Sequence, residues 1–294
     1  MGKVAAIQMT SGHVVKDNLA AAGKLLREAK ELGADIACLP ENFSFIGLKD
    51  ADKLQVAEAD GEGPIQAFLR DTARQLNLWI LGGTTVITGD SATRVANASL
   101  LIDSAGRRAA RYDKIHLFDV AIPGRDEQYL ESTHVTPGRK VVIADTPVGR
   151  LGLSVCYDVR FPELYRELVS QGAEWLAMPA AFTVPTGRAH WETLLRARAI
   201  ENLCYVVAPA QSGIHSSGRE TYGDTLIVDY WGQVLARRPT GSGVITADID
   251  LVKQAETRAR FPALNNRQLG TRSPAMVPAA AVPSAAVPSA TVPA

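Results

Sequence analysis

Short apolar runs alternate with amphipathic stretches along most of the chain. The apolar runs are rich in β-branched residues and predict strands over residues 4–9, 34–40, 78–86, 96–102, 151–157, 175–179, 205–208, 225–228 and 244–249. The amphipathic stretches have apolar residues at helical spacing and predict helices over residues 17–33, 64–76, 162–170 and 188–203. This alternation predicts a layered α/β domain in which helices cover the faces of sheets.

One domain is predicted, followed by a tail. No change of composition divides residues 1–271. Residues 272–294 are instead a run of Ala, Pro and Val with no charge after Arg272. Proline at that density is incompatible with helix and sheet, and the remaining residues have no periodic apolar face. We therefore predict a disordered tail without a catalytic role.

Charge and cysteine content narrow the functional class. The 294 residues carry 31 basic and 31 acidic side chains, a balance that does not favour a nucleic-acid or membrane-surface partner. No apolar run approaches the roughly 20 residues that span a bilayer, and the first residues look like a strand rather than a secretion signal. The three cysteines are too few and too irregularly spaced for a disulfide framework or a zinc site. We expect a cytoplasmic protein.

A strand that leads to a cysteine is the first candidate for chemistry. In GLSVCYDVRFPE (residues 152–163) an apolar strand runs into Cys156, and a helix begins at Pro162. Open α/β sheets place reactive groups at such strand ends, and the N–H groups of the following bend can face a developing oxyanion. The position of Cys156 is, by itself, equally consistent with a small buried thiol, which is the usual role of a free cysteine.

Two other segments place a charge beside an apolar run. Glu41 follows a strand in CLPENF, where a carboxylate must be hydrogen-bonded or solvated; the alternative is an ordinary loop glutamate. Lys114 lies in RYDKIHLFD, where an ammonium would stabilise an oxyanion or lower the pKa of a thiol. The alternative for Lys114 is a surface lysine whose stem packs on the sheet. We interpret the nearby His116 as structural.

Together these segments resemble the nitrilase (carbon–nitrogen hydrolase) superfamily. Its glutamate, lysine and cysteine motifs match LPENF, YDKIHLFD and GLSVCYDVRFPE in that order, and the similarity covers about residues 3–270. The resemblance implies a single-domain, four-layer α-β-β-α sandwich that pairs into homodimers or larger homo-oligomers. It also implies a Glu41–Lys114–Cys156 catalytic triad that needs no metal or organic cofactor.

The resemblance extends to a second glutamate. Family members carry it in a Glu-Ser context before a Pro-Gly turn, a pattern matched by Glu131, which Thr136, Pro137 and Gly138 follow. The spacing from Pro123-Gly124 is one residue longer than in close relatives, so Glu127 is the alternative. Context favours Glu131 as a fourth catalytic residue.

The expected substrate is a small amide. Residues 179–202, 205–213 and 222–234 are most similar to the branch that includes deaminated glutathione amidase, a metabolite-repair activity; the ω-amidases that act on α-ketoglutaramate are the alternative. The resemblance implies hydrolysis of a carboxylate-bearing amide to acid and ammonia through a thioester on Cys156. The expected oxyanion and substrate-binding residues are Tyr157, Arg160, Phe182, Thr183 and His190.

Two other functional classes fit the sequence less well. A metabolite-binding or scaffold subunit on the same fold would have no need of an intact triad. A Rossmann-type nucleotide-binding protein would carry GxGxxG or GxxxxGK[ST] after its first strand, and neither pattern follows residues 4–9.

Overall fold

The structure is a computed structural model that describes residues 1–91, 93–124 and 127–269. The predicted tail at residues 272–294 and the predicted domain end at residue 271 lie outside the described residues. The first strands are β1 (Gly2–Gln8), β2 (Ile36–Cys38), β3 (Trp79–Leu81), β4 (Thr85–Ser91), β5 (Arg94–Ile102), β6 (Arg108–Asp113), β7 (Asp119–Ala121) and β8 (Gln128–Leu130). The later strands are β9 (Ile143–Thr146), β10 (Gly149–Leu153), β11 (Trp175–Ala177), β12 (Tyr205–Ala208), β13 (Ser212–Ile214), β14 (Glu220–Tyr222), β15 (Thr225–Val228), β16 (Val234–Arg238) and β17 (Gly243–Ile249).

Five α-helices lie between or after these strands in the described residues. They are α1 (Val15–Glu31), α2 (Pro64–Leu76), α3 (Pro162–Ser170), α4 (Val184–Asn202) and α5 (Leu251–Arg260). Proline stands in the first turn of α2 and α3, where its fixed φ suits a helix and its missing N–H costs nothing. No helix among the described residues is long and apolar enough to cross a bilayer.

Two main sheets are built on the same plan. The first has the order β17-β1-β2-β3-β5-β4, with β6 added beside β5, and the second has the order β16-β15-β12-β11-β10-β9. In the first sheet β1, β2 and β3 are parallel, and in the second β10, β11 and β12 are parallel. Antiparallel strands flank each parallel centre. The chain segments that leave β2, β10 and β11 therefore emerge at carboxyl ends of parallel strands, where open α/β sheets carry their sites.

The alternation of side chains along β1 separates two apolar layers. Val4 and Ala6 belong to one buried cluster with the strands of the second sheet. Ala5 and Ile7 belong to the other, with the buried faces of α1 and α2. Helices α3 and α4 pack on the far side of the second sheet, against β10, β12 and β15. The layer order is thus helix, sheet, sheet, helix in one domain, which confirms the predicted α-β-β-α sandwich.

Several predicted elements differ from the structure. Residues 78–86 form two strands, because Gly82 and Gly83 break the run and Gly83 takes a left-handed φ of 47°. The strand predicted over residues 151–157 ends at Leu153, so Cys156 does not lie on it. Helix α4 begins at Val184, four residues before its predicted start at Arg188. Helix α5 and the short strands β6, β7, β8, β9, β13, β14 and β16 are absent from the sequence prediction.

Candidate active site

Glu41 lies in the turn that follows β2. The backbone leaves the sheet at Leu39, whose N–H donates to the Leu81 carbonyl, and Asn42 takes a left-handed φ of 56°. The Asn42 N–H donates to Thr84 Oγ1 at 2.9 Å, and the Glu41 carbonyl accepts from Gln211 Nε2 at 3.0 Å. These bonds turn the carboxylate inward, and Glu41 is only 3% exposed.

Cys156 begins a short 3-10 turn, Cys156–Arg160, just beyond β10. Its N–H donates to the Pro179 carbonyl at 2.9 Å, which holds it beside the segment that leaves β11. Its φ is 48°, a left-handed conformation that is uncommon for residues other than glycine and that concentrates at functional sites. The strained backbone aims the side chain into the space between the two sheets' carboxyl ends, where Glu41 also lies and its charge raises the pKa of the thiol.

Lys114 follows β6 and is enclosed by two carboxylates. Its Nζ donates to Glu41 Oε1 and to Glu131 Oε2, each at 2.9 Å, and the side chain is 2% exposed. Glu131 lies in a 3-10 turn after β8, and its Oε2 also accepts the Phe118 N–H at 2.7 Å. The Asn97 amide spans the pair, since Nδ2 lies 3.3 Å from Glu41 Oε1 and 3.4 Å from Glu131 Oε1. The structure thus brings all four predicted catalytic residues together.

Glu127, the alternative to Glu131, occupies a different position. Glu127 lines the same pocket, but its carboxylate accepts from the Tyr129 hydroxyl at 3.3 Å rather than from Lys114. Glu131 is the residue in contact with the ammonium.

Burial and charge set the protonation states of the cluster. Burial alone would lower the pKa of Lys114, but the Glu131 and Glu41 carboxylates outweigh it and hold that pKa well above its ordinary value. Burial alone would raise the pKa of Glu131, but the Lys114 charge and the Phe118 N–H bring it below 4.5. Burial and the Glu41 charge raise the pKa of the Cys156 thiol well above 9.0, against the opposing effect of Lys114. These shifts favour the ammonium of Lys114, the carboxylate of Glu131 and the neutral thiol of Cys156.

The other two cysteines are remote from this chemistry. Cys38 and Cys204 are fully buried, whereas Cys156 is 7% exposed and lines the pocket. Burial raises the pKa of the Cys204 thiol to about 11, and its sulfur accepts from the Arg258 guanidinium at 2.9 Å. Among the three thiols, Cys156 alone meets a carboxylate and an ammonium at a cavity wall.

A buried carboxylate ties the lysine segment to the cysteine segment. Asp158 is fully buried, and its Oδ2 accepts the Tyr112 hydroxyl at 2.7 Å and the Val155 N–H at 2.8 Å. Its Oδ1 accepts the His116 N–H at 3.0 Å and lies 2.7 Å from His116 Nδ1. The His116 ring stacks on Phe161 with centroids 3.7 Å apart. His116 thus packs against Asp158 and Phe161, which is consistent with the structural role expected from the sequence.

The pocket above the cluster has a volume of about 630 Å³. Three of the five predicted binding residues, Tyr157, Phe182 and Thr183, line it. Arg160 and His190 are not part of the lining. Their side chains lie 3.2 Å apart, between Arg160 Nη1 and His190 Nδ1, and the Arg160 guanidinium packs over the rings of Tyr157 and Phe182 at 5.7 and 5.4 Å.

Sequence reasoning missed most of the polar residues of the lining, among them Asn97, Lys49, Lys53 and Arg219. Asn97 had a detectable signal, because it is a polar side chain within the apolar run of β5. The three cations carry no such signal, since each stands in an ordinary polar loop or turn. Among the described residues, no group of three or more His, Cys, Asp or Glu side chains is placed to hold a metal ion.

Comparisons with known proteins show which family the chain resembles. The profile of the carbon-nitrogen hydrolase family matches residues 3–259. The chain is 41% identical over 266 residues to deaminated glutathione amidase of Yersinia enterocolitica, covering 90% of this chain and 92% of that one. It is 44% identical over 266 residues to the protein of the same name from Synechocystis, covering 90% and 97%. The crystal structure of the Caenorhabditis elegans NitFhit protein superposes with a TM-score of 0.82 at 40% identity, covering 91% of this chain and 65% of that chain.

Proposed function

The chain belongs to the carbon–nitrogen hydrolase family, and we propose that it is a cysteine-dependent amidase whose substrate is deaminated glutathione. The names of the Yersinia and Synechocystis relatives support the substrate. The observation that carries the chemistry is the buried Lys114, whose ammonium contacts both Glu41 and Glu131 where the Cys156 thiol reaches the pocket. Such a cluster supplies a nucleophile, a proton acceptor and an anion-stabilising cation in one place.

Acylation follows from the protonation states. The Cys156 thiol is neutral at rest and shares the pocket with Glu41, whose charge raises the pKa of the thiol, so Glu41 accepts its proton as the sulfur attacks the amide carbon. The oxyanion that forms is held by the Lys114 ammonium and the Tyr157 N–H. Glu41 then passes the proton to the departing nitrogen, which leaves as an amine, and the acyl group remains on Cys156 as a thioester.

Deacylation uses the same groups in reverse. A water molecule enters where the amine left, Glu41 takes its proton, and the hydroxide attacks the thioester while Lys114 again holds the oxyanion. The C–S bond then breaks, the acid product leaves, and Glu41 returns the proton to the Cys156 sulfur. Glu131 does not exchange a proton in this scheme. It fixes the Lys114 ammonium from the side opposite Glu41, which keeps the cation in position through both half-reactions.

The identity of the leaving group depends on the amide. Deaminated glutathione contains only secondary amides, so its cleavage releases an amine, whereas a primary amide such as α-ketoglutaramate releases ammonia. The pocket volume of about 630 Å³ falls in the range of about 300–1,000 Å³ typical of sites for drug-sized ligands. That size suits the peptide-like substrate better than a five-carbon amide.

The test compares kcat/KM for deaminated glutathione, α-ketoglutaramate and a simple nitrile. We expect deaminated glutathione to be preferred and its turnover to fall by at least about a thousandfold in Cys156→Ala, with Glu41→Gln impaired in both acylation and deacylation. Cys204→Ser is the matched control, because that buried thiol lies away from the pocket, and it keeps wild-type turnover. A fully active Cys156→Ala protein contradicts the mechanism, and a tenfold preference for the nitrile contradicts the amidase assignment.

We further propose a homodimer. Trp231, Phe261 and Ile200 are 57%, 52% and 50% exposed, and the Trp231 and Phe261 rings contact one another with centroids 5.5 Å apart. Exposed apolar groups of this kind mark interaction surfaces. Light scattering that gives about twice the 31.4 kDa chain mass supports the dimer, and a monomer mass contradicts it.

We place the enzyme in the cytoplasm, in a metabolite-repair role. The three cysteines are all unpaired, as is usual in reducing compartments. Accumulation of deaminated glutathione in cells that lack the protein, with the protein itself in the cytosolic fraction, is the expected result. Unchanged levels of that compound contradict the repair role.

A further inference from the structure

The pocket has a buried end and an exposed end. Glu41, Lys114 and Cys156 are buried, whereas Lys49 and Glu220, which also line the pocket, are exposed. During the proposed reaction the acyl group stays bonded to Cys156 at the buried end, and the amine has to depart before water can attack. The leaving half of the substrate therefore lies toward the exposed end.

Arg219 lines this pocket without a counter-ion. None of the carboxylates in the described ranges forms an ion pair with it, whereas Arg198 and Arg237, which lie outside the pocket, pair with Glu201 and Asp224. Its contacts are a hydrogen bond from Nη2 to the Ala181 carbonyl at 3.2 Å and a stacking contact over the Tyr129 ring at 5.2 Å. Its Nε is buried with no hydrogen-bond partner. A guanidinium has five N–H donors in a rigid fork, and the hydrogen bond to Ala181 uses one of them.

The backbone contact of Arg219 places it next to the reacting sulfur. Ala181, whose carbonyl accepts from Arg219, also lies close enough to Cys156 for its backbone to lower the pKa of that thiol. One residue thus links the nucleophile and the guanidinium. A group held by Arg219 lies within a short peptide's length of the scissile bond, because extended chain spans about 3.3–3.6 Å per residue.

Two lysines share the pocket with Arg219. Lys49 and Lys53 line it and form no ion pair within the described parts of the chain, and Lys53 is close enough to Glu131 to lower the pKa of that carboxyl. The acids Asp50, Glu127 and Glu220 line the pocket too, so its charge is mixed rather than uniformly basic. The geometry favours recognition of a single carboxylate at a defined point over general attraction of anions.

We propose that Arg219, assisted by Lys49 and Lys53, binds a carboxylate carried by the leaving amine. The enzyme then selects amides of carboxylate-terminated, peptide-like amines. This inference rests on the proposed function, and deaminated glutathione fits it because its leaving half ends in a glycine carboxylate. A planar guanidinium fork binds a carboxylate through two parallel N–H···O bonds, which is a geometry that Lys and neutral side chains do not reproduce.

The experiment varies the carboxylate and the arginine independently. The substrates are deaminated glutathione and its analogue in which methylamine replaces the terminal glycine, so that only the carboxylate is lost. We expect the wild-type enzyme to show at least about a tenfold lower kcat/KM for the analogue. Arg219→Gln lowers kcat/KM for deaminated glutathione to the level of the analogue and leaves the analogue's value unchanged within about twofold. Arg139→Gln, at an exposed position outside the pocket, keeps the wild-type ratio.

The outcomes separate the two proposals. Equal wild-type activity on both substrates, or an Arg219→Gln loss of the same factor on both, overturns the carboxylate site while deaminated glutathione remains the substrate. If the wild-type enzyme cleaves neither but hydrolyses α-ketoglutaramate, the proposed function itself is wrong and the carboxylate site falls with it. If Arg219→Gln does not fold, the double variant Lys49→Gln/Lys53→Gln carries the same comparison, and an unchanged substrate ratio in that variant counts against the site.

Discussion

Replacing Asp158 with asparagine tests whether its buried carboxylate joins the two segments that bear Lys114 and Cys156. Each carboxylate oxygen receives two contacts, Oδ2 from Tyr112 and Val155 and Oδ1 from the N–H and Nδ1 of His116. Asparagine keeps the shape but turns one oxygen into an NH₂ group that faces a backbone N–H, from Val155 or from His116. That buried donor is then unpaired, at about 1–3 kcal/mol, so we expect a loss of about 1–3 kcal/mol in the free energy of unfolding.

The measurement is equilibrium unfolding in urea. A loss of this size is a large part of the total stability of about 5–15 kcal/mol that is typical of folded proteins. Asp145→Asn is the matched control, because the Asp145 side chain is 91% exposed, and it changes the free energy of unfolding by no more than about 0.5 kcal/mol. A loss below about 1 kcal/mol in Asp158→Asn refutes the reasoning, since it means that the four contacts do not depend on a charged acceptor.

Two further predictions concern the residues around Glu41 and Lys114. Glu131 has its pKa lowered in the folded state, so its contribution to stability is present above about pH 4.5 and is lost as the pH falls through the folded value. The Glu131→Gln variant lacks this carboxyl, so we expect its free energy of unfolding to fall less than that of the wild type as the pH is lowered. Urea unfolding measured against pH tests this, and an equal fall in both proteins contradicts the lowered pKa of Glu131. Gly83→Ala places a Cβ 1.9 Å from the Pro40 carbonyl oxygen, whereas Gly61→Ala adds a Cβ at another left-handed position with nothing within 4 Å. We expect Gly83→Ala to lose more than about 1 kcal/mol beyond the Gly61→Ala loss in thermal unfolding, and equal losses contradict a steric role for Gly83.

The elements that the sequence predicts well are those whose signals are local. Helices α2 and α3 have their predicted bounds because a proline begins each and an apolar face runs through each. Strands β12 and β15 are fully buried and read as uninterrupted apolar runs. Helix α5 gives no such signal, since Gln254 is its one buried residue and charges occupy much of the rest.

The candidate site was predictable only in part. Glu41, Lys114 and Cys156 each stand in a motif that resembles a known family, and the structure brings them together. The local backbone of Cys156 was not predictable, because its left-handed φ goes with a bond from its N–H to the Pro179 carbonyl, which forms only when β10 and β11 are paired. Arg219 lies far along the chain from the motifs, so only the fold reveals that it shares their pocket.

The raised pKa of the Cys156 thiol has a consequence for the lifetime of the enzyme. Peroxides and electrophilic metabolites attack the thiolate rather than the thiol, so a resting site with little thiolate is oxidised and alkylated slowly. The sulfur becomes strongly nucleophilic only when an amide carbon is in place and Glu41 takes the proton. Between turnovers the enzyme thus keeps its most vulnerable atom in its least reactive form.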